Sequence, residues 1–210
     1  GVATTDDPCL IPPSGGYRGL ENRTYRVEIH DGGKIGSATF KWSRDNASVA
    51  TGVRAIEGDL TLTVDRAVWD SVRRFSPGDW VEVTDDWREF AGKPGDIRQI
   101  DTVDDSSRSI TLKTALSAGD FPVDGQNLID PDRHTRIKRW DQDPGGSAVI
   151  DVPASGTPFI LEDGVEITFT TELDGGAFRS GDYWIFVART ADASVEELDA
   201  APPRGVHHHF

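Results

Sequence analysis

The sequence predicts an all-β protein, an antiparallel β-sandwich-like domain into which a small SH3-like barrel is inserted. Two observations predict this class. Apolar and polar residues alternate with a period of two in several segments, which places the apolar residues on one face of a strand. The 210 residues also include 22 Gly and 12 Pro, and this content favours many turns over long helices. A chain of this length is able to bury a core without disulfides or metals.

The alternation is clearest in four segments, and each of them predicts a half-buried antiparallel strand. In chain order, the apolar positions are Tyr25, Val27 and Ile29; Ala38, Phe40 and Trp42; Leu60, Leu62 and Val64; and Val165, Ile167 and Phe169. Residues 183–188 are apolar on both faces and predict a central strand. Asp-Gly turn sequences lie between these runs, as expected for hairpins. The one helix that apolar spacing indicates is short, at 66–75.

Residues 75–116 predict the inserted barrel, because three short strands and tight turns follow one another there. The expected core of this unit consists of Val81, Val83, Ile100, Ile110 and Leu112. The chain therefore divides into the first part of the β domain (1–74), the barrel-like subdomain (75–116), and a loop with the remainder of the β domain (117–210). Within that last part, residues 118–143 are rich in Asp and predict a long ordered loop.

Charge and composition argue against several classes of function. Asp and Glu number 36 against 22 Lys and Arg, giving a net charge of −14 at pH 7. This balance argues against binding to nucleic acid and to anionic lipid. The single cysteine, Cys9, rules out an intrachain disulfide and a cysteine-rich zinc site. No apolar run approaches the roughly 18 residues of a membrane span, so no span is predicted.

Catalytic motifs are absent from the sequence. It contains no G-x-S-x-G, no H-E-x-x-H, no P-loop and no dinucleotide-binding glycine fingerprint. His207 and His209 share one side of a predicted strand and offer a weak zinc or nickel pair, but no third ligand is identifiable. We therefore predict no catalytic residue, no metal site and no cofactor, and the sequence favours a non-catalytic protein.

A dense group of charged side chains lies at the first predicted strand. It consists of Arg18, Glu21, Arg26, Glu28 and His30. Two interpretations stay open. The favoured one is an ion-pair network that ties the preceding segment to the strand. The other is an acid–base pair of Glu28 and His30, which share a face with Arg26.

Trp80, Glu82 and Trp87 are the candidate binding residues. Trp80 and Glu82 share the predicted wetter face of their strand, and Trp87 follows two aspartates. An aromatic ring beside carboxylates suits stacking on a sugar, but the same residues also suit packing of a small barrel against its host domain. The basic stretch 134–140 is expected to pair with an acidic neighbour rather than with nucleic acid.

Several long motifs carry a family resemblance. They are PPSGGYRGLENRTYRVEIH (12–30), ATFKWSRDN (38–46), GDWVEVTDD (78–86), GDYW (181–184) and PRGVHHH (203–209). They resemble a bacterial family of unknown function whose genes often lie among those of phage-tail-like particles, including contractile injection systems. The resemblance extends from about residue 8 to residue 210. It implies that the chain is the later portion of the family's domain, and it carries over no catalytic residues.

The resemblance implies a structural or binding component of a phage-tail-like particle or surface assembly. Such a protein is made in the bacterial cytoplasm and is associated with a particle or the cell exterior. Its expected partners are other protein subunits, with a homo-oligomer as one form. The alternative is a carbohydrate-binding or carbohydrate-cleaving module that acts on a cell-surface glycan. A groove lined by Trp80, Trp87 and paired acids would favour this alternative, and cleavage requires two carboxyl groups about 5–10 Å apart.

Overall fold

The computed structural model describes residues 16–65, 74–143, 146–171 and 176–205. Cys9, His207, His209 and most of the predicted helix at 66–75 lie outside these residues. The strands are β1 (Arg23–Ile29), β2 (Gly33–Lys34), β3 (Thr39–Ser43), β4 (Ala50–Glu57), β5 (Thr61–Val64), β6 (Trp80–Thr84), β7 (Asp96–Asp104), β8 (Ser109–Leu112), β9 (Arg136–Trp140), β10 (Ile150–Asp151), β11 (Pro158–Ile160), β12 (Glu166–Thr168), β13 (Ala177–Phe178), β14 (Tyr183–Arg189) and β15 (Ser194–Val195). One short helix, α1 (Asp86–Phe90), follows β6, and a 3-10 turn spans Pro131–Arg133.

The pairings between these strands are antiparallel, which confirms the predicted all-β class. Among the described residues, no helix has the length and apolar character needed to cross a membrane.

The first layer is a five-stranded sheet in the order β10-β3-β1-β14-β15. The alternation in β1 buries Tyr25, Val27 and Ile29 on one face, as predicted. That face packs against the hairpin β11–β12 and neighbouring segments through aromatic side chains. The ring of Phe40 lies 5.3 Å from that of Phe159. These contacts form the core of the sandwich-like domain.

The second unit is a closed barrel in the order β4-β5-β8-β7-β6-β9, closed by the pairing of β9 with β4. The range 75–116 supplies β6, β7 and β8, and the other three strands come from outside it. The barrel core includes all five residues expected at the sequence level and adds apolar side chains of β4, β5 and β9: Val53, Ile56, Leu62, Val64 and Ile137.

Residues 118–143 are not only a loop, because β9 lies within them. In β9, Ile137 enters the barrel core while Arg136 and Lys138 point outward. Arg139 is charged as well, so most residues of this strand are charged. Its low apolar content explains why alternation did not reveal it. The barrel is thus inserted between β3 and β10, and each unit has its own hydrophobic core.

Candidate functional site

A buried charged cluster joins the sheet to the barrel. We call it the junction cluster, and it consists of Glu28, His30, Lys41, Glu82 and Trp140. The Nζ atom of Lys41 lies 2.5 Å from Oε1 of Glu82 and 3.2 Å from Oε1 of Glu28. Lys41 is 2% exposed and Glu82 is 3% exposed. The contact between the two units here is therefore an ion pair closed off from water.

Strand alternation explains why these charges face each other. In β3, Phe40 and Trp42 enter the sandwich core, so Lys41 points from the opposite face of the sheet. In β6, Val81 and Val83 enter the barrel core, so Glu82 points out of the barrel. The barrel packs against the sheet at this point. The face of β3 that carries Lys41 and the face of β6 that carries Glu82 therefore bury one another, although each appears polar in the sequence.

The carboxylate of Glu82 is fully engaged by donors. Its Oε1 accepts hydrogen bonds from Lys41 and from the backbone N–H of Gly95, and its Oε2 accepts one from Nε1 of Trp140. A Cβ at position 95 would overlap Glu82 Cγ, so only glycine brings its N–H this close. Burial alone would raise the pKa of Glu82, but the Lys41 ammonium outweighs burial and lowers that pKa to about 2. The pair is charged at neutral pH.

His30 lies at the edge of the junction cluster. Its side chain is 9% exposed, and its Nδ1 lies 3.9 Å from Glu82 Oε1 without a hydrogen bond. Burial and the nearby Lys41 charge lower the pKa of His30. Glu28 is held by Arg26 at 2.7 Å and by Lys41 at 3.2 Å. This arrangement gives the acid–base interpretation little support, because each oxygen of Glu28 already faces a cation.

The charged residues predicted at the first strand fall into separate places. Arg26, Glu28 and His30 lie at or beside the junction cluster. Glu21 instead pairs with Arg23, at 3.1 Å. Arg18 is exposed, and in the described part of the chain it forms no ion pair.

Sequence reasoning missed Lys41 as the central cation of this region. A signal was present, because a lysine between two core aromatics of one strand must point to the other face of its sheet.

The three candidate binding residues do not share a groove. The prediction that Glu82 lies on a wet face was wrong, because the sheet covers that part of the barrel. Trp87 lies on α1 and is 60% exposed, with the guanidinium of Arg133 at 4.8 Å from its ring. Trp80 is half-buried, and its Nε1 donates a hydrogen bond to the backbone oxygen of Asp143.

Helix α1 is short but braced at its start. Asp85 caps it by accepting a hydrogen bond from the N–H of Arg88 at 2.8 Å. The other oxygen of Asp85, a fully buried residue, accepts hydrogen bonds from the Arg133 guanidinium at 2.5 and 2.9 Å.

The basic strand β9 holds the acidic side of α1. Arg136 lies 2.7 Å from Asp86 and also pairs with Glu89. Lys138 lies 3.1 Å from Glu89. Hydrogen bonds from His134 and Arg136 lower the pKa of Asp86. The basic stretch therefore pairs with an acidic neighbour, as the sequence predicted.

Two aromatic side chains of α1 project into solvent. Trp87 is 60% exposed and Phe90 is 82% exposed. They are three residues apart, a spacing that places them on one side of a helix. We call this pair the α1 face. It presents apolar surface on an element whose acidic residues are already paired.

A groove of about 340 Å³ opens beside Trp80 on the outside of the barrel. We call it the Trp80 groove, and it is lined by Trp80, Ile97, Arg98, Gln99, Lys113, Thr114 and Ala148. No carboxylate is among these lining side chains. Elsewhere in the described ranges, no group of three or more His, Cys, Asp or Glu residues is placed to hold a metal ion.

These features define a class of protein: an all-β protein in which an inserted barrel is joined to a sandwich-like domain by buried ion pairs. The chain belongs to DUF6519, a family of unknown function, which it matches over residues 2–208. Comparisons with characterised proteins and with solved structures give no match. The predicted resemblance to a family of unknown function agrees with this finding, and the link to phage-tail-like gene clusters stays a prediction.

Proposed function

We propose that this protein is a non-catalytic structural or binding component of a larger assembly, and that the assembly is a phage-tail-like particle. The observation that carries the proposal is the α1 face, with Trp87 60% and Phe90 82% exposed. Large aromatic side chains are enriched at the centres of protein interfaces and supply most of their binding energy. An exposed pair on a braced helix is suited to contact with another subunit.

The surroundings of the α1 face support a contact that is apolar at its centre. Asp86 and Glu89 are paired with β9, so a partner meets few uncompensated charges there. The helix is also braced in advance, which reduces the entropy lost on binding. The net charge of −14 opposes loose self-association, so the contact must be specific.

The nature of the assembly is proposed from the family resemblance. Genes of the resembling family often lie among those of phage-tail-like particles, and such particles are built from symmetric rings of subunits. The proposed partners are accordingly other protein subunits, among them further copies of this chain.

Sedimentation of particles from the source bacterium tests the proposal. The wild-type protein is expected in the heavy fractions with the particle, and a Phe90→Ser variant is expected to shift to the light fractions. Ile160→Ser is the matched control, because Ile160 is also an exposed apolar residue, at 68%, but lies on β11. Wild-type protein found only in the light fractions would contradict the proposed function. Equal sedimentation of Phe90→Ser and wild type would contradict the role of the α1 face.

Carbohydrate binding is a second candidate, and the Trp80 groove favours it. A half-buried indole beside amide, hydroxyl and ammonium groups suits a sugar ring. Glycoside cleavage commonly uses two carboxyl groups, and the groove lining contains none. The groove therefore supports binding of a glycan rather than cleavage.

A further inference from the structure

We infer that the Trp80 groove binds an anionic sugar, such as a uronic acid unit of a glycan. This inference rests on the second candidate function, carbohydrate binding, and names its ligand class. It is independent of the α1 face, which lies on another element of the chain.

Strand register builds the binding row. Trp80 on β6 is the direct partner of Gln99 on β7. The backbone N–H of Lys113 donates to the oxygen of Gln99, so Lys113 is the next neighbour across the barrel wall. The Nζ of Lys113 lies 2.7 Å from Oε1 of Gln99, so these two side chains share the outer surface. An aromatic ring on β6, an amide on β7 and an ammonium group just after the end of β8 therefore lie side by side.

The sheet covers only part of this outer surface, which is why a groove exists. Glu82 lies two residues along β6 on the same face and is buried under Lys41. Trp80 begins the strand and is only half-buried, and Ala148 from the following loop contributes to the groove lining. The hydrogen bond of 3.0 Å from Nε1 of Trp80 to the oxygen of Asp143 fixes the indole before any ligand arrives.

Each side chain of the row has a distinct chemical role. The indole ring offers apolar surface to the C–H face of a sugar, and the groove lining is mainly apolar. Thr114, which is exposed, offers a hydroxyl group to the ring. The amide of Gln99 donates to the backbone oxygen of Gly78 and accepts from Lys113, so it positions the Lys113 ammonium group beside Trp80. Lys113 is exposed and carries three N–H donors, one of which meets Gln99. The other N–H donors of Lys113 are able to donate hydrogen bonds to a carboxylate.

The charge of the lining selects the class of sugar. Arg98 and Lys113 line the groove together with no acidic side chain, in a protein whose net charge is −14. Arg98 is already paired with Asp96 and bonded to the oxygen of Ala115, so Lys113 is the side chain left to contact the ligand's charge. A negative group on the sugar gains this contact, whereas a neutral sugar does not.

The test is calorimetric titration of the purified chain with two probes: a hyaluronan tetrasaccharide, which carries glucuronate, and cellotetraose, which is neutral. We expect the acidic probe to bind at least about tenfold more tightly, and the difference to shrink as salt is added. Lys113→Gln is expected to remove most of this preference. Lys93→Gln, which removes the same charge from an exposed residue outside the groove lining, is expected to have no effect.

Trp80→Ala is expected to weaken the binding of both probes, and Trp87→Ala is expected to change the binding of neither. Lys113 is exposed, so its variant tests the inference even if Trp80→Ala fails to fold. Equal binding of the two probes, or an unchanged preference in Lys113→Gln, would overturn the anionic class and leave carbohydrate binding in place. Absence of binding by either probe would overturn both this inference and the second candidate function.

Discussion

Replacing Lys41 with methionine tests the structural role of the junction cluster. Methionine has a similar length and no charge, so the variant leaves Glu82, which is 3% exposed, without its cation. Removal of one partner from a buried ion pair costs about 3–5 kcal/mol. The pKa of Glu82 gives a similar size: the difference between its ordinary value of 4.5 and about 2 corresponds to about 3 kcal/mol. We therefore expect Lys41→Met to lower the free energy of unfolding by at least about 3 kcal/mol at pH 7.

Urea unfolding at pH 7, followed by tryptophan fluorescence and by far-ultraviolet circular dichroism, measures this loss. Coincident transitions show whether one free energy describes the unfolding. Lys93→Met is the matched control, because Lys93 is exposed, and its expected change is within about 0.5 kcal/mol. The double variant Lys41→Met with Glu82→Gln is expected to recover part of the loss, because a neutral amide needs no counter-ion and keeps an acceptor for Gly95.

Two results would refute this reasoning. An unfolding free energy of Lys41→Met within about 0.5 kcal/mol of wild type would show that the ion pair does not hold the two units together. A double variant no more stable than Lys41→Met would show that the unpaired carboxylate is not the source of the loss.

Three further predictions follow from the same structure. The pKa of Glu82 is lower in the folded state than in the unfolded state, so its stabilising contribution is present above pH 4.5 and is lost as pH falls toward 2. Lys41→Met removes the strongest pKa-lowering group, so we expect burial to raise the Glu82 pKa above its ordinary value despite the donors Gly95 and Trp140. Urea titrations at several pH values should then show this variant losing stability as pH rises. Val83→Ala and Leu112→Ala should each cost about 2–3 kcal/mol in urea unfolding, because both side chains are buried in the barrel core, and a neutral result for both would remove them from that core. Phe90→Ser should change the thermal unfolding midpoint little, because Phe90 is 82% exposed, whereas a large drop would mean that it packs within the chain.

Strand alternation in the sequence predicted β1 and β3 because each has a face that enters the sandwich core and a face that does not. Alternation shows which side chains share a face, but it does not show what covers that face. Glu82 and Lys41 each looked like wet positions, and they lie 2.5 Å apart only because the barrel folds back onto the sheet. A contact between residues 41 positions apart depends on tertiary packing that no local pattern contains.

Other parts of the structure escaped the sequence for different reasons. β9 shows no apolar alternation, because three of its five residues are charged: Arg136, Lys138 and Arg139. Helix α1 has only five residues, too few for an apolar period to show, although Asp85 followed by an acidic first turn is a capping signal. The Trp80 groove arises from residues of β6 and β7, of the segment after β8 and of the loop that contains Ala148, so only the folded chain brings its lining together.

Photo-cross-linking from the α1 face tests the central claim, contact with another subunit, most directly. A photoreactive phenylalanine analogue replaces Phe90 in one sample and Leu20, which is 98% exposed, in a control sample. Each protein is irradiated within the fraction of its native cells that is expected to contain the proposed particle. We predict a covalent adduct from position 90 to a protein subunit of the particle, and none from position 20. A particle that contains the protein but yields no adduct from position 90 would contradict the account.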